Sequence, residues 1–380
     1  MPNIAIKAEN LSKAYQLDET HIKPYSELLL AYKTIPSLNG WRAIAILLVI
    51  IGHLKKTLQP TGMAYKILDN IIFAEFGVRI FFVLSGFLIT TLLIKEKKKT
   101  GKINITNFFI RRILRIVPVL WAYLIIVAIL NQLFEFNLTL SHFIGPFLYI
   151  NNFNFLPGTW ILGHTWSLAV EEQFYLIWPF IFKYVNKKLS FCLILIILIP
   201  FINVLAYLNP KFIVITLQPF FKHAAAIFIG AILSILWAKN FYGFNVKKYL
   251  TRNIFIISII LTFLINIAQY HGKFGIILLP AGDFILNTCI AYMILFSILK
   301  NTAVYKILNT SIVISIGILS YSIYIWQQLF LIPYKTYAAW SEYFFFPFNL
   351  VVIGIVAYLS YHYLEKPFLK LKQRFSFKNV

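Results

Sequence analysis

Charged residues and cysteines are scarce in this sequence, and both shortages narrow the class of protein. Only 13% of the 380 residues are charged, whereas 60% are hydrophobic, a balance that excludes an ordinary soluble domain. Two cysteines, Cys192 and Cys289, lie in apolar runs and give neither a disulfide framework nor metal-ligand spacing. A Gly-rich phosphate loop and a nucleophile elbow are also missing, so nothing in the sequence supports nucleotide or metal hydrolysis.

Long apolar runs dominate the sequence, whose mean hydropathy is +0.77. A helix needs roughly 20 predominantly apolar residues to cross a bilayer. We therefore predict an all-α fold, a polytopic integral membrane helical bundle of about ten transmembrane helices. The predicted runs are 37–57, 71–94, 113–133, 167–184, 189–208, 218–237, 253–271, 275–298, 311–332 and 344–363.

The basic residues predict how the bundle is oriented. Lys and Arg are retained on the cytoplasmic side of membrane proteins, and a cytoplasmic N-terminus places 26 of the 35 basic residues on that side. We therefore predict that both termini are cytoplasmic, with tails at 1–36 and 367–380 around a membrane domain at 37–366, and that no signal peptide is removed. The net charge of +22 then follows from this positive-inside pattern, with anionic lipid headgroups as the partner of the inner surface, and requires no nucleic acid.

The first run contains two side chains that are costly in hydrocarbon, Arg42 near its start and His53 near its end. Eleven helical residues bring both onto one face, roughly 16 Å apart along the axis. Ala45, Ile46 and Val49 lie between them on that face. We expect this face to line a polar cavity, and a cation and an imidazole in one cavity indicate chemistry.

The second run contains a third buried ionisable group, Arg79. The predicted topology places Arg79 in the outer part of its helix, at the depth of His53. Ser85 and Gly86 follow in the same run, and small residues of this kind favour close helix packing over catalysis.

Three arginines precede the third run. Arg111 and Arg115 are four residues apart, so they share one helix face, and Arg112 lies beside them. Guanidinium groups clustered at the cytoplasmic mouth of a bundle suit a phosphate-rich ligand. Contact with lipid phosphate explains them equally well.

Two adjacent carboxylates, Glu171 and Glu172, stand near the start of the fourth run. Neighbouring residues in a helix differ by about 100°, so the two cannot share a face. We expect one of them to face the cavity and to pair with His53 or Arg79, because a carboxylate beside an imidazole raises its basicity. The preceding outer loop, 134–166, has no basic residue and is rich in asparagine and aromatic residues, which suits either a sugar or an interfacial belt.

Four ordered blocks together resemble the membrane acyltransferase-3 family, whose members acylate sugar hydroxyls on surface polysaccharides, nodulation factors and macrolides. The blocks are the Arg42 to His53 helix, GVRIFFVLSGFL at 77–88, RRILRIVP at 111–118 and WSLAVEEQFY at 166–175. The resemblance covers nearly the whole chain. It implies a bacterial cytoplasmic (inner) membrane protein, an O-acetyltransferase that takes an acyl group from cytoplasmic acyl-CoA, usually acetyl-CoA, without a metal. The acceptor would be a glycan or lipid-linked sugar on the far side.

The resemblance also implies roles for particular residues. His53 would be the essential histidine, acting as general base or acyl carrier, with Arg42 as its companion. The full set of expected site residues is His53, Arg42, Arg79, Glu171 and Glu172 for catalysis, Arg111, Arg112 and Arg115 for the donor, and Trp166, Ser167 and Tyr175 for substrate binding.

Three positions depart from the family pattern: Asn39 and Arg79 stand where relatives often have Asp, and Gln327 stands where many have His. Many relatives also append an extracytoplasmic hydrolase-like domain after the helices. In this sequence only the tail 367–380 follows the membrane domain, so we expect the chain to complete transfer within its membrane domain. A transporter or flippase of lipid-linked sugars is the alternative function, because it too would need a buried arginine and histidine beside an aromatic outer loop. A catalytically inactive scaffold would give no reason to bury Arg42 and His53 together.

Overall fold

The computed structural model describes Glu27, Leu29 and residues 34–153, 155–208 and 214–376. Almost all of the predicted N-terminal tail therefore lies outside the described residues, as do the last four residues of the predicted C-terminal tail. The described part contains helices and no strand. Ten of the helices are named here: α1 (Leu38–Thr57), α2 (Ala74–Thr100), α3 (Ile105–Phe134), α4 (Thr165–Tyr184), α5 (Lys188–Leu208), α6 (Val214–Ala238), α7 (Arg252–Tyr270), α8 (Gly275–Leu299), α9 (Ser311–Phe330) and α10 (Phe348–Ser360).

Short helical segments join or extend these ten. A π-helical segment, Tyr361–Glu365, continues α10 into a last helix, α11 (Lys366–Lys372). The remaining short segments are Met63–Ile71, Leu140–Leu148, Trp160–Gly163, Asn240–Gly243, Val246–Tyr249, Ala303–Leu308, Ala338–Ser341 and Gln373–Phe375.

The predicted polytopic helical bundle is confirmed. Within the described residues, nine helical stretches are long and apolar enough to cross a membrane. The fourth predicted run does form a 20-residue helix, α4, but it is not among the nine. The difference has a physical reason, because α4 includes two glutamates, a glutamine and a lysine, and these lower its hydropathy.

Apolar side chains cover the outside of the bundle as well as its core. On α7, Ile257, Ile260 and Leu264 are 51%, 50% and 55% exposed. A soluble protein rarely leaves such a continuous apolar face in water, whereas lipid chains cover it without cost. These outward faces therefore agree with a multi-pass membrane protein.

Helix α2 lies at the centre of the bundle and packs most closely on α6. A Cβ atom added at Gly86 would overlap the carbonyl oxygen of Ile227, and one added at Gly230 would overlap the carbonyl oxygen of Val83. The two helices approach so closely because glycine has no side chain at either crossing point. The packing role predicted for Gly86 is confirmed.

Helix α1 is held between α2 and α9 by similar contacts. A Cβ atom at Gly77 of α2 would overlap the carbonyl oxygen of Ala45, and one at Gly317 of α9 would overlap that of Asn39. The face of α1 that contains Arg42 and His53 is thereby fixed toward the interior of the bundle.

Candidate functional site

A cavity of about 480 Å³ lies at the end of the bundle where α1 and α3 begin and α2 ends. We call it the basic cavity, because among the described residues its lining includes five basic side chains and one carboxylate, Glu171. The five are Arg42, Lys95, Arg112, Arg115 and Lys372. Such an excess of positive charge in a concave site attracts an anionic ligand.

Three arginines of the basic cavity have no carboxylate partner within the described residues. Arg42, Arg112 and Arg115 take part in none of the ion pairs there. Arg42 donates one hydrogen bond of 3.3 Å to Asn39 Oδ1, and the Arg112 guanidinium lies 5.6 Å from the centre of the Tyr175 ring. Their hydrogen-bond donors remain available to a ligand, and guanidinium groups match phosphate oxygens in geometry.

Arg111 has a different environment from its two neighbours. Its guanidinium forms an ion pair of 2.8 Å with the buried Glu96 and donates to the Phe375 carbonyl oxygen at 2.8 Å. Glu96 in turn accepts a hydrogen bond from the Asn104 amide at 3.0 Å. Arg111 does not line the basic cavity; it ties the start of α3 to the end of α2 and to the C-terminal segment.

Glu171 is the member of the glutamate pair that faces the basic cavity. Its Oε1 accepts a hydrogen bond of 2.8 Å from Ser85, and its Oε2 accepts one of 3.3 Å from the Tyr175 hydroxyl. Glu172 does not line the cavity, and its Oε1 has no hydrogen-bond partner among the described residues. The expectation that one of the glutamates pairs with His53 or Arg79 is wrong, since the His53 imidazole bonds to Gln327 and the Arg79 guanidinium pairs with Asp283 and Glu75.

The three residues predicted to bind substrate separate into two groups. Ser167 and Tyr175 line the basic cavity, and the Ser167 hydroxyl lies 2.6 Å from the Tyr324 hydroxyl. Trp166 is outside its lining and packs instead on His223, with ring centres 4.5 Å apart.

His53 lies further along α1 than the basic cavity reaches. Its Nδ1 is 3.1 Å from the Oε1 of Gln327, which is fully buried. An amide oxygen can only accept a hydrogen bond, so Nδ1 carries the proton and Nε2 is left as the basic nitrogen. The imidazole also meets the Trp160 ring edge-on, with centres 5.3 Å apart and planes at 73°.

Packed apolar side chains of α1, here called the apolar layer, lie between Arg42 and His53. Ala45, Ile46 and Val49 each have 0% of their surface exposed, so the part of α1 between Arg42 and His53 is packed. The expectation that this whole face lines one polar cavity is therefore wrong. This part of α1 is packed because α2 approaches it closely, where Gly77 leaves room for the Val49 side chain.

Arg79 is buried in an ion-pair cluster of its own. Its Nη2 lies 2.9 Å from Asp283 of α8 and 3.2 Å from Glu75, and Lys222 lies 3.4 Å from the same Glu75. Arg79 thus joins α2 to α8, and no hydrogen bond or ion pair connects it to His53 in the described part of the chain.

Sequence reasoning assigned no role to the buried His164 and did not predict that Gln327 and Gln328 each bind a histidine. His164 is 2% exposed, and its Nδ1 lies 2.6 Å from the Oε1 of Gln328. That oxygen also accepts the His164 amide at 2.8 Å. The signal was present in the sequence, because two adjacent glutamines, Gln327 and Gln328, are costly in an apolar run unless each has a partner.

A second cavity, of about 510 Å³, lies beyond His53 at the opposite end of α1. We call it the aromatic cavity. The loop 134–166 and the segment after α9 supply its lining, which comprises Phe136, Asn137, Leu138, His142, Gly158, Thr159, Trp160, Thr336 and Tyr337. Trp160 therefore touches His53 on one side and lines this cavity on another. No group of three or more His, Cys, Asp or Glu side chains in the described residues could hold a metal ion.

Comparison with known proteins gives the family context of this arrangement. The family model described as an acyltransferase domain, acyltransferase 3, matches residues 35–363. A candidate O-acetyltransferase of Staphylococcus aureus strain COL is 30% identical over an alignment of 377 positions, and the alignment covers 88% of this chain and 57% of that protein. The O-acetyltransferase OatA of Staphylococcus aureus strain NCTC 8325 is 25% identical over an alignment of 380 positions, and the alignment covers 90% of this chain and 58% of that protein.

The chain thus spans less than two thirds of the length of these relatives. No solved structure matches it.

Proposed function

The chain belongs to the acyltransferase-3 family, and from that premise we propose that it moves an acetyl group from cytoplasmic acetyl-CoA to a sugar hydroxyl of a surface glycan or lipid-linked sugar. The acceptor lies on the outer side of the bacterial cytoplasmic membrane. One observation supports this most directly: α1 holds an arginine in the basic cavity and, on the same face, a histidine beside the aromatic cavity, whose Nε2 has no hydrogen-bond partner among the described residues. One helix thereby joins a site for an anionic donor to a base near the far surface.

The donor would enter at the basic cavity. Its phosphates would bind Arg112 and Arg115, whose guanidinium groups have no carboxylate partner among the described residues. Arg42 would meet the pantetheine arm deeper in the cavity. The many basic residues at this end support its cytoplasmic placement and that of both termini, because positive charge is retained on that side of the membrane.

The acetyl group must then travel from Arg42 to His53, roughly 16 Å along the axis of α1. The apolar layer of Ala45, Ile46 and Val49 is packed along that stretch of α1. Donor binding would therefore displace this layer, so that the path to His53 opens only when acetyl-CoA is bound.

At His53 the transfer has two possible orders. In a direct transfer, Nε2 removes the proton from the sugar hydroxyl, whose oxygen attacks the thioester carbonyl; the C–S bond breaks and the CoA thiolate takes the proton. In a two-step transfer, Nε2 attacks the thioester carbonyl, the C–S bond breaks and CoA leaves as the thiolate; the sugar oxygen then attacks the acetyl carbon, the C–N bond breaks and the hydroxyl proton passes to the thiolate. Both orders require the tautomer that Gln327 fixes.

The remaining predicted residues would hold the helices and the cavity wall in place. Arg79 is neutralised by Asp283 and Glu75, so we assign it the joining of α2 to α8 in place of an oxyanion role. Glu171 holds Ser85 and Tyr175 in the wall of the basic cavity. Trp166 packs on Phe82 of that wall, and Ser167 forms part of the wall.

Membranes that contain the chain test the proposal with acetyl-CoA labelled in its acetyl group. The wild type should place label in glycan, whereas His53→Ala should place none and should still bind acetyl-CoA. His271→Ala, at the exposed end of α7, is the matched control and should behave as wild type. Label in glycan from the His53→Ala variant would contradict the proposal, and acceptor movement without any need for acyl-CoA would indicate a flippase.

A further inference from the structure

The lining of the aromatic cavity combines apolar faces with neutral hydrogen-bonding groups. Three of its residues are aromatic, Phe136, Trp160 and Tyr337, and four more have polar side chains without a permanent charge. The four are Asn137, His142, Thr159 and Thr336. Among the described residues, Lys, Arg, Asp and Glu are missing from this lining, in contrast to the basic cavity. A polyhydroxylated ring fits these properties, because its C–H face packs on an aromatic ring while its hydroxyls bond to neutral polar groups.

The size of the cavity agrees with a small organic ligand. Its volume of about 510 Å³ falls within the roughly 300–1,000 Å³ typical of such sites.

The walls of the aromatic cavity are held in place before any ligand binds. The hydroxyl of the fully buried Tyr123 donates to the Ile161 carbonyl oxygen at 2.6 Å, directly after Trp160. The Thr159 hydroxyl lies 2.9 Å from that of Tyr337, which joins the two chain segments that form the cavity. A preorganised wall lowers the entropy cost of binding a ligand.

Trp160 connects the aromatic cavity to the reacting histidine. Its indole lies against the His53 imidazole, with ring centres 5.3 Å apart. Its Nε1 is buried and has no hydrogen-bond partner among the described residues, so a donor remains free at this point. Leaving such a donor unpaired has a cost, and a sugar hydroxyl would satisfy it once the indole turns its N–H toward the cavity.

We propose that the aromatic cavity binds an uncharged sugar ring of the acceptor, and that Trp160 holds this ring while shielding His53 from water. The inference rests on the proposed acetyl transfer. An enzyme that holds an activated acetyl group must keep water away until the acceptor arrives. Water would otherwise attack the carbonyl in place of the sugar oxygen and release acetate and free CoA. The indole covers His53 from the acceptor side, where this competition takes place.

The test measures two products in membranes that contain the native acceptor and acetyl-labelled CoA: label in glycan and label released as acetate. Trp160→Ala should lower label in glycan at least tenfold and raise the ratio of acetate to glycan label several-fold, with binding of acetyl-CoA unchanged. Trp160→Phe keeps a ring but loses the N–H, so its loss of transfer should be smaller. The second variant also keeps the test decisive if Trp160→Ala does not fold.

Trp121→Ala is the matched control. Trp121 is 47% exposed, contacts Phe147 and lines neither cavity, so both products should remain as in the wild type. The ring that bears the acetate is then identified by mass spectrometry of the labelled glycan, and an uncharged residue is expected.

Three results would overturn the inference while leaving acetyl transfer intact. They are normal transfer by Trp160→Ala, an equal fall of transfer and hydrolysis in both Trp160 variants, and acetate on a uronic acid or another anionic residue. If the wild type gave neither labelled product, the proposed function itself would be contradicted. The two failures are therefore distinguishable.

Discussion

Replacing Arg115 with glutamine should weaken acetyl-CoA binding without unfolding the protein. Arg115 lines the basic cavity and forms no ion pair within the described residues, so its loss breaks no ion pair there. A hydrogen bond to a charged group contributes about 1.5–3 kcal/mol. Since about 1.4 kcal/mol corresponds to a tenfold change in Kd, Arg115→Gln should raise the Kd for acetyl-CoA about 10- to 100-fold.

Arg111→Gln provides the contrast, only four residues away. Its guanidinium forms a buried ion pair of 2.8 Å with Glu96, and removing one partner of such a pair costs about 3–5 kcal/mol because a buried charge is left alone. We expect this variant to unfold at a lower temperature while its folded fraction keeps the wild-type Kd. Replacing both partners, Arg111→Met with Glu96→Leu, should restore stability.

Isothermal titration calorimetry and thermal unfolding in detergent measure the two effects separately. Titration with acetyl-CoA at two salt concentrations should show a smaller salt dependence for Arg115→Gln than for the wild type, because one phosphate contact is lost. Wild-type affinity in Arg115→Gln would refute the assignment of donor phosphates to this cavity. The same loss of affinity in both arginine variants would refute the separation of their roles.

Two further substitutions test the middle of the bundle. Gln327→Leu should lower kcat about five- to tenfold, since it removes one neutral hydrogen bond of about 1 kcal/mol that fixes the His53 tautomer. Transfer assays should show an unchanged KM for acetyl-CoA. An unchanged kcat would contradict the role of Gln327 in fixing the tautomer. Gly230→Ala should lower the unfolding temperature in detergent, because its Cβ would overlap the Val83 carbonyl oxygen. Gly354→Ala is the control, because a Cβ there meets no described atom within 4 Å. Equal unfolding temperatures for Gly230→Ala and Gly354→Ala would show that α2 and α6 can move apart at little cost in stability.

The membrane helices were predictable from the sequence, because bilayer thickness sets a minimum length for an apolar run and that requirement is local. The common face of Arg42 and His53 was also predictable, since helical geometry alone determines it. The packing role of Gly86, which the structure confirms, was also predictable, because a small residue in an apolar helix has few other uses.

Partners distant in the chain were not predictable in this way. Arg111 and Arg115 share a helix face, yet Glu96 of the preceding helix binds only Arg111. Arg79 looked like a companion of His53 until Asp283 of α8 was found beside it. Periodicity gives the face of a helix on which a side chain lies but contains no information about which other helix packs there.

The glutamate pair shows the same limit at closer range. Helical geometry required Glu171 and Glu172 to face different directions, and they do. It could not tell which of them faces the cavity, because that depends on the position of Ser85 in another helix.

The packed layer of Ala45, Ile46 and Val49 has a consequence for the energy supply of the cell. A continuous wet path between the two cavities would let protons and sodium ions run down the electrochemical gradient across the membrane. Fully buried alkyl side chains exclude hydrated ions, since an ion must lose its water shell to enter such a layer. A small uncharged acetyl group faces no comparable electrostatic barrier. A layer that opens only around the donor's arm would let a chemical group cross while the membrane stays electrically sealed.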